Sequence, residues 1–413
     1  MLKNLKLPLI ILATIGLFFL SCQTVPGEVI KDIPTPASAK SSEPNLYKSN
    51  DGNIYLSWIE VLPDTSSALK FSTLNKDNLW SEPKTIAQGT DWFVNWADFP
   101  GMTSFGKSNL ASHYLEKSAN GTYTYDVKLM LSSDNGNTWM PPIIPHTDNT
   151  NTEHGFVSKL DLKDDSLLTI WLDGRQYAYA EVNDSIAKEM TLRGAIFDAN
   201  GTLLKESLID ERVCDCCQTD AAMTEKGPIV VYRNRSEDEV RDIFYSRLVE
   251  NEWTEPKPIF NDEWTIAGCP VNGPSIAANA TMVAVVWYTL HNDTPQVKLA
   301  FSGNNGESFE TPIVLNNGNT IGRVDVELLK DNSAIAVWLE TIEDNTVIQM
   351  QRIHENGAKS NVLTLAKTSE DRSSGFPRLV VKDDTAYLAY TLSGKDLSIK
   401  TLAVNMNALE YIN

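Results

Sequence analysis

Positive charge is scarce in this chain: 35 Lys and Arg stand against 54 Asp and Glu, for a net charge of −19. That balance excludes a nucleic-acid partner, because phosphate binding needs clustered Lys and Arg. It also disfavours an acidic membrane surface as ligand and fits a charge that keeps an exported protein soluble. A local arginine cluster can still bind an acidic sugar. Cysteine is rare, at five in 413 residues, and so is histidine. No long apolar run follows residue 20, so the remainder reads as soluble. Long amphipathic helix patterns are missing too. The charged stretch Glu181 to Arg193 is the one segment that suggests a helical turn.

The apolar residues that open the chain have a clear use. Lys3 and Lys6 precede an almost unbroken run from Leu9 to Leu20, which ends at Ser21-Cys22. A basic start, a short apolar run and a small residue before the cut describe a secretory signal. The run is short for a membrane span of ~20 residues. Cys directly after Leu-Ser resembles a bacterial lipobox, in which the cysteine is acylated and becomes the new N-terminus. An ordinary signal peptide with a chance cysteine is the alternative. On the first reading, residues 1–21 are a lipoprotein signal peptide and Cys22 carries the lipid. Residues 22–42, rich in Pro, Ser, Thr and Lys, form a flexible tether, and 43–413 are the folded part. The implied location is a bacterial cell envelope, with membrane contact through the lipid anchor alone.

The folded part repeats. One strand signature recurs as Ile54-Tyr-Leu-Ser-Trp-Ile-Glu60, Leu110-Ala-Ser-His-Tyr-Leu-Glu116 and Leu167-Leu-Thr-Ile-Trp-Leu-Asp173. It continues from Pro228, Met282, Ala334 and Thr385. Each copy is β-branched, aromatic and bounded by turn residues, which is a strand signal. A second strand and a polar turn follow, then an outer segment opening on an aromatic: Trp80-Ser-Glu-Pro, Trp139-Met-Pro-Pro, Trp253-Thr-Glu-Pro or Phe309-Glu-Thr-Pro. Proline there suits a solvent-facing edge. A weaker strand precedes each signature. Four strands per unit at this period predict an all-β protein, a single β-propeller of four-stranded blades. Seven repeats are counted, the last taking its outer strand from Leu409 to Ile412; six blades with stray strands is the alternative.

The turn Ser132-Ser-Asp134-Asn-Gly136-Asn-Thr138-Trp139 resembles the Asp-box, S-x-D-x-G-x-T-W, of sialidase-like (BNR-repeat) propellers. Ser302-Gly-Asn304-Asn-Gly306-Glu-Ser308-Phe309 is a degenerate copy. The resemblance implies a propeller whose boxes sit opposite the ligand face. It also implies glycosidase chemistry through three arginines, an Asp acid/base and a Tyr/Glu pair. No Arg-Ile-Pro segment of that family occurs here, and the known sialidase propeller has six blades.

In such blades the loops between units and those between second and third strands share one mouth. Seven arginines fall there: Arg175, Arg212, Arg233, Arg235, Arg241, Arg323 and Arg378. Of these, Arg175, Arg233, Arg323 and Arg378, with His154, are expected to bind substrate, since a guanidinium fork suits a carboxylate or sulfate. Pairing with nearby aspartates to hold blades together is the competing role. Asp98 and Glu340 are the candidate catalytic carboxylates and Tyr288 the candidate hydroxyl, with Tyr232 beside it. His113, within a strand pattern, is expected to be a core histidine.

Cys214, Cys216, Cys217 and Cys269 fall on neighbouring mouth loops. Two disulfides are one reading of an even count in an exported chain; a soft copper or zinc site is the second, and free thiols the third. Otherwise no cofactor is expected. Two functions follow: a monomeric, exported glycoside hydrolase acting on acidic glycans, or a non-catalytic surface propeller that binds a glycan, glycoprotein or other protein.

Overall fold

In a computed structural model of the protein, described for residues 29–162, 164–394 and 396–411, seven antiparallel sheets close into a seven-bladed β-propeller. The signal sequence and Cys22 lie outside the described residues. Blade 1 runs from the axis outward as Ser41–Lys48, Ile54–Val61, Ser67–Leu74 and Lys84–Gly89. The second strand of every blade carries the repeated signature and is the most deeply buried. Trp58, Trp171, Trp287 and Trp338 recur at its fifth or sixth position, and all four are fully buried.

Proline shapes the outer edge, because it cannot donate to the ladder. In blade 2 the segment after Trp139 contains Pro141 and Pro142. Only a single bridge, Leu129 to Ile143, joins it to the sheet, so that blade has three strands. In blade 4 the outer strand breaks at Pro256 into Glu252–Trp253 and Lys257–Pro258.

Ring closure differs from expectation. The outer strand of blade 7 is Ile30–Ile33, a segment read from sequence as tether. It pairs antiparallel with Ser398–Asn405, Ile33 opposite Thr401. Thr401 Oγ1 also donates to the Ile33 carbonyl at 2.7 Å. Leu409, expected in that strand, is instead buried in the apolar cluster between blades 6 and 7. The chain's two ends thus share one sheet.

Seven apolar clusters fill the seven interfaces between adjacent blades. The turn Ser132–Trp139 serves one of them. Asp134 Oδ1 accepts from the backbone N–H of Asn137 at 3.0 Å and of Thr138 at 2.9 Å. Gly136 takes φ +75°, and a Cβ there would lie 2.6 Å from Phe71 of blade 1, so glycine is required. Trp139 then meets Phe71 edge-on. The second copy does the same, Phe309 meeting Tyr245 of blade 4.

One α-helix is present among the described residues. Arg175–Val182 lies in the loop between second and third strands of blade 3, just ahead of the stretch expected to be helical. Among the described residues no helix is long and apolar enough to cross a membrane.

Candidate functional site

The innermost strands of all seven blades line a cavity of about 620 Å³ on the axis. Its charged lining is Lys48, Lys159 and Arg378 against Asp98, Asp161, Asp220, Asp325 and Glu327. Burial decides how these groups ionise. It raises Glu327 to about 7 and Asp220 to about 6. It lowers Lys159 to about 7, and Lys159 Nζ donates to His113 Nδ1 at 2.6 Å. His113 is therefore a core histidine with a specific partner.

At the mouth side of this cavity three groups converge. Tyr125 opens the third strand of blade 2, and its hydroxyl is 2.6 Å from Glu153 Oε1 and 3.3 Å from Asp98 Oδ2. Asp98 Oδ1 accepts from the Phe156 N–H at 2.7 Å. Gly155 makes room: a Cβ there would lie 2.1 Å from Asp98 Oδ2. Burial raises Asp98 to about 7 and Glu153 to about 8. Both carboxyls are therefore poised to exchange protons near neutrality. The Tyr125 ring is fully buried and stacks on Phe93 with centroids 4.1 Å apart.

The other expected carboxylate does different work. Glu340 accepts from Trp338 Nε1 at 2.8 Å and from the backbone N–H of Gly318 at 2.6 Å. Asp173 holds Trp171 Nε1 at 2.7 Å in the same way. At Trp171 and Trp338 the carboxylate two residues on is thus an architectural partner of the indole, whereas Trp58 Nε1 has no partner among the described residues. In blade 5, Asp262 plays that part for Trp287. Tyr288 packs edge-on against Trp264, outside the cavity lining, and no carboxylate reaches its hydroxyl among the described residues. Tyr232 donates to Asp210 at 2.6 Å and is fully buried.

The arginines mostly face inward. Arg175 grips Asp173 through Nε and Nη2, both at 2.7 Å, and reaches Glu206 at 2.9 Å. Arg233 donates to the carbonyls of Asn272, Tyr288 and Arg241 and lies 4.9 Å over the Trp264 ring. Arg323 donates to Ser374 Oγ at 2.6 Å and to the carbonyls of Glu370 and Asp371. Only Arg378 of these four lines the cavity, 3.3 Å from Asp325. His154 is buried and stacked on His146, centroids 3.6 Å apart, with Asp148 Oδ1 at 3.3 Å.

The four cysteines do gather, and they are free thiols. Cys214 Sγ is 3.4 Å from Cys217 Sγ and 3.8 Å from Cys216 Sγ. Cys269 reaches Cys216 from the next inter-blade loop.

Sequence reasoning had located Asp98 and the loop holding Glu153, but missed Tyr125, Lys159 and His146. Tyr125 is 27 residues from Asp98 and 28 from Glu153, and nothing local marks it.

No family model matches the chain, and no curated protein does. Solved structures do. A lectin from Burkholderia pseudomallei aligns with a TM-score of 0.60 at 9% identity, over 91% of this chain and 99% of that one. An ulvan lyase of a polysaccharide lyase family, bound to a glucuronate–sulfated rhamnose unit, aligns at 0.52 and 12% identity over 91% and 94%. A protein of unknown function from Dyadobacter fermentans aligns at 0.51 and 12% identity over 92% and 100%. At these identities the likeness is one of fold.

Proposed function

We propose that this chain is an exported, lipid-anchored propeller of the cell envelope that acts on glycans, with Asp98, Tyr125 and Glu153 as its acid–base site. The observation that carries the reading is one phenol bridging two carboxyls, both raised toward neutrality. The neighbouring cavity is concave and polar, and its cations Lys48, Lys159 and Arg378 suit an acidic sugar. The lectin and the ulvan lyase lend general support, because both use this architecture on carbohydrate. With Arg175, Arg233 and Arg323 engaged inside the fold, the three-arginine clamp of sialidases has no counterpart at this cavity.

The test is turnover on fluorogenic sialosides, neutral glycosides and uronate-containing polysaccharides. Cleavage of one class is expected, falling ~10²–10⁴-fold in Asp98→Asn and in Glu153→Gln with the fold intact by circular dichroism. Turnover unchanged in both variants would overturn the site assignment. The full burial of Tyr125 under Phe93 favours a second reading, a non-catalytic glycan-binding propeller. Glycan-array binding retained without turnover on any substrate would select it.

A further inference from the structure

We infer that Cys214, Cys216 and Cys217, completed by Cys269, form a thiolate site for a soft d¹⁰ cation, copper(I) or zinc(II), at the mouth between blades 3 and 5. The spacing of the sulfurs is the first ground. A disulfide needs ~2.05 Å, and the pairs here stand at 3.4 and 3.8 Å. Thiolates sharing a metal at ~2.3 Å stand about 3.8 Å apart. All three sulfurs lie within 4.8 Å of one another, so one ion reaches them together. Cys214 and Cys217 are buried, and Cys269 is exposed on a separate loop. That gives an inner trio with a fourth ligand at its open side.

The surroundings supply the second ground. Three or four thiolates on one ion leave an anionic centre, which needs positive charge around it. Arg241 reaches Cys214. Its Nη1 is buried and has no hydrogen-bond partner among the described residues. Arg233 adds its field at Cys217. The Cys214 N–H donates to the Arg233 carbonyl at 2.9 Å, which fixes the loop independently of any ion. Softness of the donor set selects copper(I) or zinc over harder cations.

The test uses the full exported chain carrying Cys22→Ser, isolated from an oxidising compartment without added reductant. Metal is measured by mass spectrometry after gel filtration, and thiols by alkylation before and after unfolding in chelator. We expect one copper or zinc per chain, and four cysteines that alkylate only after chelation. Competition with copper(I) and zinc(II) indicators identifies the ion, and either supports the site. Cys214→Ser/Cys217→Ser is expected to lose stoichiometric metal. Arg241→Gln is expected to weaken binding ~10–100-fold, as outer-shell partners do. Asp98→Asn leaves binding unchanged. Cysteines that fail to alkylate even when unfolded, with no metal, would show disulfides and overturn the inference. Four free thiols that take up neither challenge ion would overturn it too, as would metal retained by the double variant.

Discussion

Arg233 donates to three backbone carbonyls, from Asn272, Tyr288 and Arg241, and is almost wholly buried. Removing a buried donor leaves its acceptors unsatisfied, at ~1–3 kcal/mol each. Arg233→Met is therefore expected to destabilise the fold by about 3 kcal/mol or more in denaturant unfolding. Arg378 faces the cavity and meets a single carboxylate. Arg378→Met strips the buried Asp325 of its partner, so it is expected to cost ~3–5 kcal/mol and also to weaken binding of an acidic oligosaccharide in calorimetry. Equal effects of the two substitutions on oligosaccharide binding would show that the arginines do not divide into scaffold and site. The division follows from solvation: a guanidinium reaches the interior only where enough acceptors wait for it.

Among the elements, Ile30–Ile33 has the largest consequence for its size. It completes blade 7, and without it Ser398–Asn405 would present an open edge. Ile33 is buried in the cluster between blades 7 and 1. Ile33→Ala is expected to cost about 2–5 kcal/mol. Deleting residues 29–33 is expected to give strand-paired oligomers, since an unpaired edge templates association. Light scattering after size exclusion reads that outcome, and a monomer of unchanged stability would refute the closure argument. The recurring second strand works differently. It places a tryptophan in four of the seven blades, and a carboxylate two residues on ties the indole N–H at Trp171 and Trp338. That pairing explains why Glu340, conspicuous in the sequence, belongs to the scaffold.

For the whole molecule, closing seven blades around an axis buries carboxyls that no short segment could. Asp98, Glu153, Glu327 and Asp220 are all raised, to between about 6 and about 8. The folded state keeps their protons to higher pH than the unfolded chain does. Their contribution is fully present below the unfolded carboxyl value of ~4 and is lost as pH rises through the folded values. His113 and His146, lowered by burial, oppose this below ~6.5, and Lys159 opposes it above about 7. Stability is thus expected to fall from about pH 4 to about pH 7, and Asp98→Asn/Glu153→Gln to flatten that slope. Thermal melts across the range check it; a rise with pH in the parent would contradict it.

The local chemistry of the chain was enough to determine the blades. The short apolar second strands rich in β-branched and aromatic residues, the positive φ of glycine in the two box-like turns and proline at the outer edges are local features, so they show in the sequence. The meeting of the cysteines was legible because they sit on equivalent loops of neighbouring units. What only the tertiary structure decided is which side chains share a solvent-poor space. Tyr125, Asp98 and Glu153 come from three segments joined by blade packing, and the inward turn of Arg233 and Arg323 depends on acceptors from neighbouring blades and inter-blade loops. The strand that seals the ring comes from the opposite end of the chain. Burial of charge and closure of a ring are properties of the assembled whole, and no local pattern encodes them.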